Sequence, residues 1–297
     1  MSHWIQRPWG HVKPPSGSRP SGLAGQLGII WACLFNEGGS TSVVDVINGL
    51  VGAFTGTVLW DGSLSPLAGP FGPGLCFNGN GAYVEFPLNV PLTKPSGAMT
   101  LRVWTAGSGS TDGSLNNSIG GTSIGTMADD GARGYSITLL GDAGSSGDAT
   151  FSIAAGASPV TSVTASGANN RNVWTCWHGV YVPSVSLTLY QNGVQAVQNT
   201  TSIPASQYTG NGVPLRLGAR VSNGTYFIGG LDLPLIANIA WTPQQVLADY
   251  MDPFAWIGIP RRRVRGQAAA SGFDPSAGFP WQSTENPLPQ RRAVVAY

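Results

Sequence analysis

Apolar positions in this chain come in short clusters, and glycine, asparagine and serine turns punctuate them. Gly28–Phe35 is a continuous apolar run closed by Asn36-Glu37-Gly38-Gly39. Thr41–Val46 is rich in β-branched residues, and Asn48-Gly49 turns the chain into Leu50–Phe54. Leu75–Phe77, the turn Asn78-Gly79-Asn80-Gly81 and Tyr83–Phe86 together predict a hairpin. Further strands are predicted at Met99–Thr105, Tyr135–Leu140, Thr150–Ile153, Val160–Thr164 and Val173–Val182. Val185–Tyr190 and Val194–Val197, joined by Gln191-Asn192-Gly193, are the clearest hairpin. Leu215–Gly218, Phe227–Asp232 and Leu235–Ala240 complete the set. Many short strands at this spacing predict a β-sandwich. Helical periodicity is confined to one place. Thr242 caps it, Pro243 suits the first helical position, Gln245 completes a capping box, and the helix stops near Met251 before Asp252-Pro253.

Composition agrees with this reading. Glycine (42) and proline (22) are abundant and charged residues are only 10%, which disfavours long helices and supplies turns. The glycine-rich, polar stretch Gly107–Gly134 reads as a long loop able to carry a binding function. Residues 1–22 hold four prolines and two tryptophans without periodicity, and 260–297 hold an arginine cluster followed by Gly, Ala, Ser and Pro. Neither segment can bury a core alone, so the expected organisation is an extended arm (1–22), a sandwich (23–259) and a basic arm (260–297). Charge divides the same way. The two arms carry nine basic and two acidic residues, whereas the middle carries six basic and twelve acidic ones. Basic arms on an acidic body predict contact with an acidic partner surface, which another copy of the body could supply. Cys33, Cys76 and Cys176 are odd in number and widely spaced, so three buried free thiols are expected, in keeping with a reducing cytoplasm. Leu23–Phe35 lacks the flanks of a signal peptide and is too short to span a bilayer.

In order along the chain, several segments resemble the laminin G-like group of concanavalin A-like jelly rolls. Trp31–Gly38 with Val43-Val44-Asp45 and Asn48-Gly49-Leu50 looks like the opening strand and turn of that family. Leu75–Gly79 with Ala82–Phe86, Met99–Trp104, Trp177–Val180 with Leu187–Gly193, Leu217–Ala219 with Gly229–Asp232, and Ile236–Tyr250 follow its later motifs. The resemblance implies a two-sheet all-β jelly roll with one short C-terminal helix and extended N- and C-terminal arms. Tyr250–Trp256 followed by Pro260-Arg-Arg-Arg-Val is similar to the ends of laminin G-like proteins encoded by tailed bacteriophages, although Asp252 replaces an asparagine and Trp256 comes late.

The fold hosts many functions, so chemistry must be sought in side chains. Retaining glycosidases of this fold need paired carboxylates about 5 Å apart. The only glutamates are Glu37, Glu85 and Glu285, which are scattered, and Asp129-Asp130 are adjacent residues of a polar loop whose side chains diverge. His3 and His11 lie in the arm, and His178 follows Trp177 in a strand, where a structural place is the expected one. Gly120–Gly125 lacks the lysine of a phosphate loop. Some relatives bind calcium at the sandwich edge. Asp45, Asp112, Asp129, Asp130, Asp142 and Asp148 could offer oxygen ligands, but none sits in a transferable motif and no cofactor is assigned. Tyr208 and Tyr226 are candidate stacking surfaces for a sugar.

The expected function is a non-enzymatic structural component of a bacteriophage virion: capsid decoration, tail or fibre, assembled in the host cytoplasm. Its partners would be other virion proteins and copies of itself. Trp4, Trp9, Arg261, Arg262, Arg263, Arg265, Phe279 and Trp281 are the candidate assembly contacts. The alternative is a lectin-like module for host-surface glycans. A glycoside hydrolase is the least favoured reading, and neither membrane nor nucleic acid is expected as a partner.

Overall fold

A computed structural model describes residues 13–14, 18–60, 69–107, 121–127, 133–141, 146–156, 160–170, 173–210, 213–221 and 226–258. The chain enters through β1 (Arg19–Pro20), α1 (Gly22–Gln26), β2 (Ile29–Ala32), β3 (Ser42–Val44), β4 (Val51–Thr55) and β5 (Val58–Trp60). It continues through β6 (Leu75–Asn78), β7 (Tyr83–Glu85), α2 (Val90–Thr93), β8 (Met99–Gly107), β9 (Gly121–Gly125), β10 (Arg133–Gly141) and β11 (Ser146–Ala155). Then follow β12 (Thr161–Asn170), β13 (Thr175–Val182), β14 (Ser186–Gln191), β15 (Val194–Asn199), β16 (Arg216–Leu217), β17 (Ile228–Ala237), α3 (Pro243–Met251) and β18 (Ile257–Gly258).

Two antiparallel sheets face each other. The first has the order β12-β11-β10-β9-β16-β7-β4-β3. The second has the order β15-β14-β13-β8-β17-β6-β5, with β2 also pairing β17. Alternate residues of facing strands fill the space between them: Leu101 and Val103 of β8, Trp177 and Tyr181 of β13, Ile137 and Leu139 of β10, and Phe151 and Ile153 of β11 are all fully buried. The expected two-sheet jelly roll is the observed architecture. The expected C-terminal helix is α3, with the Thr242 hydroxyl accepting from Gln245 N–H at 3.2 Å and the Gln245 side-chain oxygen Oε1 accepting from Thr242 N–H at 2.8 Å. The short helices α1 and α2 were not anticipated.

Three sequence expectations are corrected. The turn Asn78–Gly81 does not close a hairpin: β6 lies in the second sheet and β7 in the first, so this turn carries the chain across the core. Gly79 permits it, with φ +73° and no room for a side chain against Ile228. Leu75, Phe77, Val84 and Phe86 are all buried in the inter-sheet core, a burial that serves a crossing as well as a hairpin. The stretch read as a loop, Gly107–Gly134, contains the buried strand β9. Its small residues disguised it, since Gly121, Thr122, Ser123 and Gly125 carry little apolar signal. Phe227–Asp232 and Leu235–Ala240 form essentially one strand, β17, interrupted by a bulge at Leu233, which holds φ +43°.

The second sheet is covered on its outer side as well. Trp104, Cys176, Val180, Tyr190 and Leu235 pack there under α1, α3 and the 254–257 turn, through Ala24, Val246, Phe254 and Trp256. This second core is pinned by charge. Arg102 of β8 and His178 of β13 are direct cross-strand neighbours on that face. Asp249 of α3 reaches both, accepting from Arg102 Nη1 at 2.7 Å and lying 2.9 Å from His178 Nε2. Arg102 also donates to Leu233 O at 3.1 Å and Pro253 O at 3.2 Å. The bulge thus aims a carbonyl at the guanidinium. Burial alone would raise the Asp249 carboxyl, but Arg102 and His178 hold it below its ordinary value.

The described part of the N-terminal segment packs against the sandwich. β1 pairs β18, so the roots of the two flanking segments lie side by side. Lys13 is buried, with its Nζ 2.8 Å from Asp232 Oδ1 and donating to Pro73 O. Part of the negative charge of the middle region is spent inside the fold, where Asp45, Asp232 and Asp249 are buried, and Glu85 is paired with Arg216.

Removing one partner of a buried ion pair strands the other charge. Asp249→Ala is expected to lose roughly 3–5 kcal/mol, read as a lower urea midpoint with an unchanged slope. Burial pushes the Asp232 carboxyl up to about 6, against the opposing pull of Lys13. A folded-state pKa above the unfolded value of about 3.9 means that Asp232 favours folding most at low pH, and that this contribution is lost as pH rises through about 6. Lys13→Met removes the counter-ion and raises the carboxyl further. The variant should therefore be more destabilised relative to wild type at pH 7 than at pH 5, as thermal melts at the two pH values will show.

Candidate functional site

Three regions gather polar chemistry. The first is the outer face of the first sheet. Register places Ser42, Ala53, Glu85, Arg216, Gly125, Ser136, Ser152 and Ser162 in one row across all eight strands. Beside it runs Thr122, Thr138, Thr150 and Thr164. These hydroxyls bond one another, as Ser152 with Ser162 at 2.9 Å and Thr150 with Thr164 at 3.0 Å. Arg216 Nε donates to Glu85 Oε2 at 2.7 Å, and its guanidinium stands 4.1 Å from the Tyr83 ring centroid. Yet Thr122 and Ser136 at the centre have no solvent exposure, so a ligand from solvent does not reach the middle of this face.

The second region lies beneath α3. Cys176 Sγ is 3.7 Å from His178 Nδ1, and His178 Nε2 is 2.9 Å from Asp249 Oδ2. The order thiol, imidazole, carboxylate is that of a nucleophile with its base. Burial argues against that role here. It pushes the Cys176 thiol well up, with Asp249 adding to the effect, and it holds the imidazole of His178 below its ordinary value. A thiol that stays protonated under a packed helix is neither nucleophilic nor reachable. All three cysteines are free and buried, as the sequence suggested.

The third region is open. Pro91, Lys94, Pro95, Ser96, Thr209 and Asn238 line a cleft of about 590 Å³ at one end of the sandwich. Its walls are set by several elements. Thr93, at the end of α2, is held by the Tyr135 hydroxyl of β10, which donates to Thr93 O. The Gln207 amide donates to Pro95 O. Asn238 follows β17, and its N–H donates to Gly28 O at 2.8 Å. Tyr208 is anchored by its N–H to Ala154 O at 2.9 Å, and its ring packs with Val213 and Val221. The ring runs over Gly210, where a Cβ would fall 2.3 Å from its hydroxyl oxygen. Lys94 is 2% exposed; its Nζ donates to Gly210 O at 2.6 Å and stands 5.5 Å from the Tyr208 ring centroid. The Arg133 guanidinium is 6.0 Å from the same ring.

Of the residues singled out in the sequence, Tyr208 belongs to this region. Tyr226 does not share these partners: it bridges Ala219 and lies beside Gly121. Trp4, Trp9, Arg261, Arg262, Arg263, Arg265, Phe279 and Trp281 lie outside the described residues, as do Asp112, Asp129, Asp130 and Asp142. Asp45 spends its carboxylate on the N–H groups of Ala32, Ile47 and Asn48 and on the Asn48 amide. Asp148 accepts from Gly167 N–H. Among the described residues no three His, Cys, Asp or Glu side chains cluster to hold a metal. Sequence reasoning passed over Lys94, Thr209 and Asn238. The available signal was Lys94 itself, one of only two lysines, set between Pro91 and Pro95.

The profile of the concanavalin A-like lectin/glucanases superfamily, in its laminin G form, matches residues 78–247. Among solved structures, the binding domain of Paraclostridial Mosquitocidal Protein 1 is similar, with a TM-score of 0.59 at 14% identity, over 77% of this chain and 53% of that one. The botulinum neurotoxin serotype G binding domain gives a TM-score of 0.57 at 11% identity, over 76% of this chain and 51% of that one. This chain therefore spans about half of those toxin domains. Domain 4 of AbnA, a GH43 extracellular arabinanase from Geobacillus stearothermophilus solved in complex with arabinotriose, gives 0.51 at 19% identity, over 74% of this chain and 97% of that domain. At these identities the likeness is one of fold. No curated protein matches the sequence.

Proposed function

This chain belongs to the concanavalin A-like lectin/glucanase superfamily, and within it we propose a non-catalytic role, the holding of a glycan in the cleft beside Lys94 and Tyr208. The observation that carries this reading is the cleft itself. Its volume falls in the range of small-ligand sites. Its wall offers the hydroxyls of Ser96 and Thr209, the amide of Asn238 and the ammonium of Lys94, with an aromatic ring behind them. Those are the groups that bond sugar hydroxyls. The carboxylates give no support to hydrolysis. Glu37 accepts from Val44 N–H and Glu85 from Arg216, so neither described glutamate is poised as an acid or a nucleophile. That solved domains of this shape include toxin binding domains and an arabinotriose-bound domain is consistent with the proposal.

The mounting of the sandwich supports a second element, that it serves as a structural component of a bacteriophage virion. The β1–β18 pair sets the roots of both flanking segments next to one another. The sequence beyond Gly258 is arginine-rich and resembles the ends of tailed-phage proteins, so the flanks are suited to fastening the module to neighbours.

A glycan array probed with the full chain tests the first element. The wild type should retain a defined set of glycans, and Thr209→Val combined with Asn238→Ala should weaken retention by about tenfold with a melting temperature within a few degrees of wild type. Retention by neither protein, or equally by both, defeats the cleft reading. Deleting residues 260–297 should leave a folded sandwich that no longer enters particles; normal incorporation defeats the virion reading.

A further inference from the structure

We infer that the ligand of this cleft is an anionic glycan, whose acidic group serves as the counter-ion of Lys94. This rests on the glycan reading above and narrows it. A buried ammonium is costly unless a carboxylate or several acceptors compensate it. Lys94 is as buried as a core residue, yet its partners among the described residues are one carbonyl, Gly210 O, and the face of Tyr208. The described carboxylates are engaged elsewhere. Glu85 pairs with Arg216, Asp232 with Lys13 and Asp249 with Arg102, while Glu37, Asp45, Asp148 and Asp252 accept backbone N–H groups.

The neighbouring charge has the same sign. Arg133 flanks the same ring, so two cations share one side chain. Burial, and then the repulsion of Arg133, bring the Lys94 ammonium down to about 8. Among the described residues, the other titratable groups at this corner are the phenols of Tyr208 and of Tyr135, the latter donating to Thr93 O. Burial pushes the Tyr135 phenol up, so it adds no negative charge here. The two remaining N–H bonds of Lys94 and the open cleft together define a place for an external anion.

Bound anion favours the charged amine, so binding is coupled to its protonation. Below about pH 8 the amine is already charged in the free protein. Above it, binding takes up a proton and the affinity falls with rising pH.

Calorimetric titration of the full chain with three probes is the test: a trigalacturonic acid, a neutral galactose trisaccharide and a sulfated galactose trisaccharide. At pH 7 the acidic probes should bind at least about tenfold tighter than the neutral one. Equal binding of uronic and sulfated probes assigns any anionic group, and binding of one alone assigns that group. The preference should shrink between pH 7 and pH 9 for the wild type, with net proton uptake at pH 9, and should vanish in Lys94→Met. Binding of the neutral probe as tightly as the acidic ones overturns the inference and leaves the glycan reading intact. Binding of none of the three also overturns the inference, and the glycan array decides the glycan reading. The wild-type pH profile needs no substitution, so a Lys94→Met protein that failed to fold would still leave a decisive result. A pH-independent preference contradicts the role given to Lys94.

Discussion

The structure depends on the guanidinium of Arg102. It stands on β8, the strand between β13 and β17 at the centre of the second sheet, and it has no exposure to water. From there it bonds the bulge of β17 at Leu233 O, helix α3 at Asp249, and the turn after α3 at Pro253 O. One side chain of β8 therefore fixes three segments that lie 131 to 151 residues further along the chain. The fixed layer buries the outer face of the sheet, which would otherwise expose Trp104, Val180 and Leu235. Trp104 stacks on Tyr250 of α3 with ring centroids 5.6 Å apart, so packing and charge hold the helix in the same place. A buried ion network of this kind is specific more than it is stabilising, because each member is tolerated only in the presence of the others.

That rigidity reaches the cleft. Thr100, two residues before Arg102, donates to Ile239 O and accepts from Trp241 N–H, and Trp241 donates its indole N–H to Leu27 O. Asn238 sits within this knot and forms part of the cleft wall. On the other side, Tyr135 of the first sheet secures Thr93. The cleft is thus framed by connections whose ends are tied to both sheets, the usual way a jelly roll presents a binding site on loops over a fixed scaffold. The broad serine and threonine face of the first sheet, by contrast, is closed to solvent at its centre.

The sequence disclosed whatever depends on local order. The capping box of α3 and the Gln191–Gly193 hairpin are written in adjacent residues, and both are present. The fold class followed from strand spacing and from ordered family motifs. What was hidden is non-local. Nothing near Arg102 announces that Asp249, 147 residues later, completes it. The turn at Asn78–Gly81 has the composition of a hairpin, and only the sheet order reveals a crossing. β9 escaped notice because its outward neighbours are small and polar, leaving Ile124 as its one large apolar residue. The cleft was half legible. Tyr208 drew attention as an aromatic residue in a polar loop, but Lys94, Thr209 and Asn238 converge only through the fold.

The central claim is the position of the ligand. Backbone amide resonances of the isotopically labelled chain, followed during titration with a uronic-acid trisaccharide, locate it directly. The account predicts progressive shifts at Lys94, Ser96, Thr209, Gly210 and Asn238, with those of Thr150, Ser152, Ser162 and Thr164 unmoved. Shifts centred on the serine and threonine face, with the cleft residues silent, would contradict it.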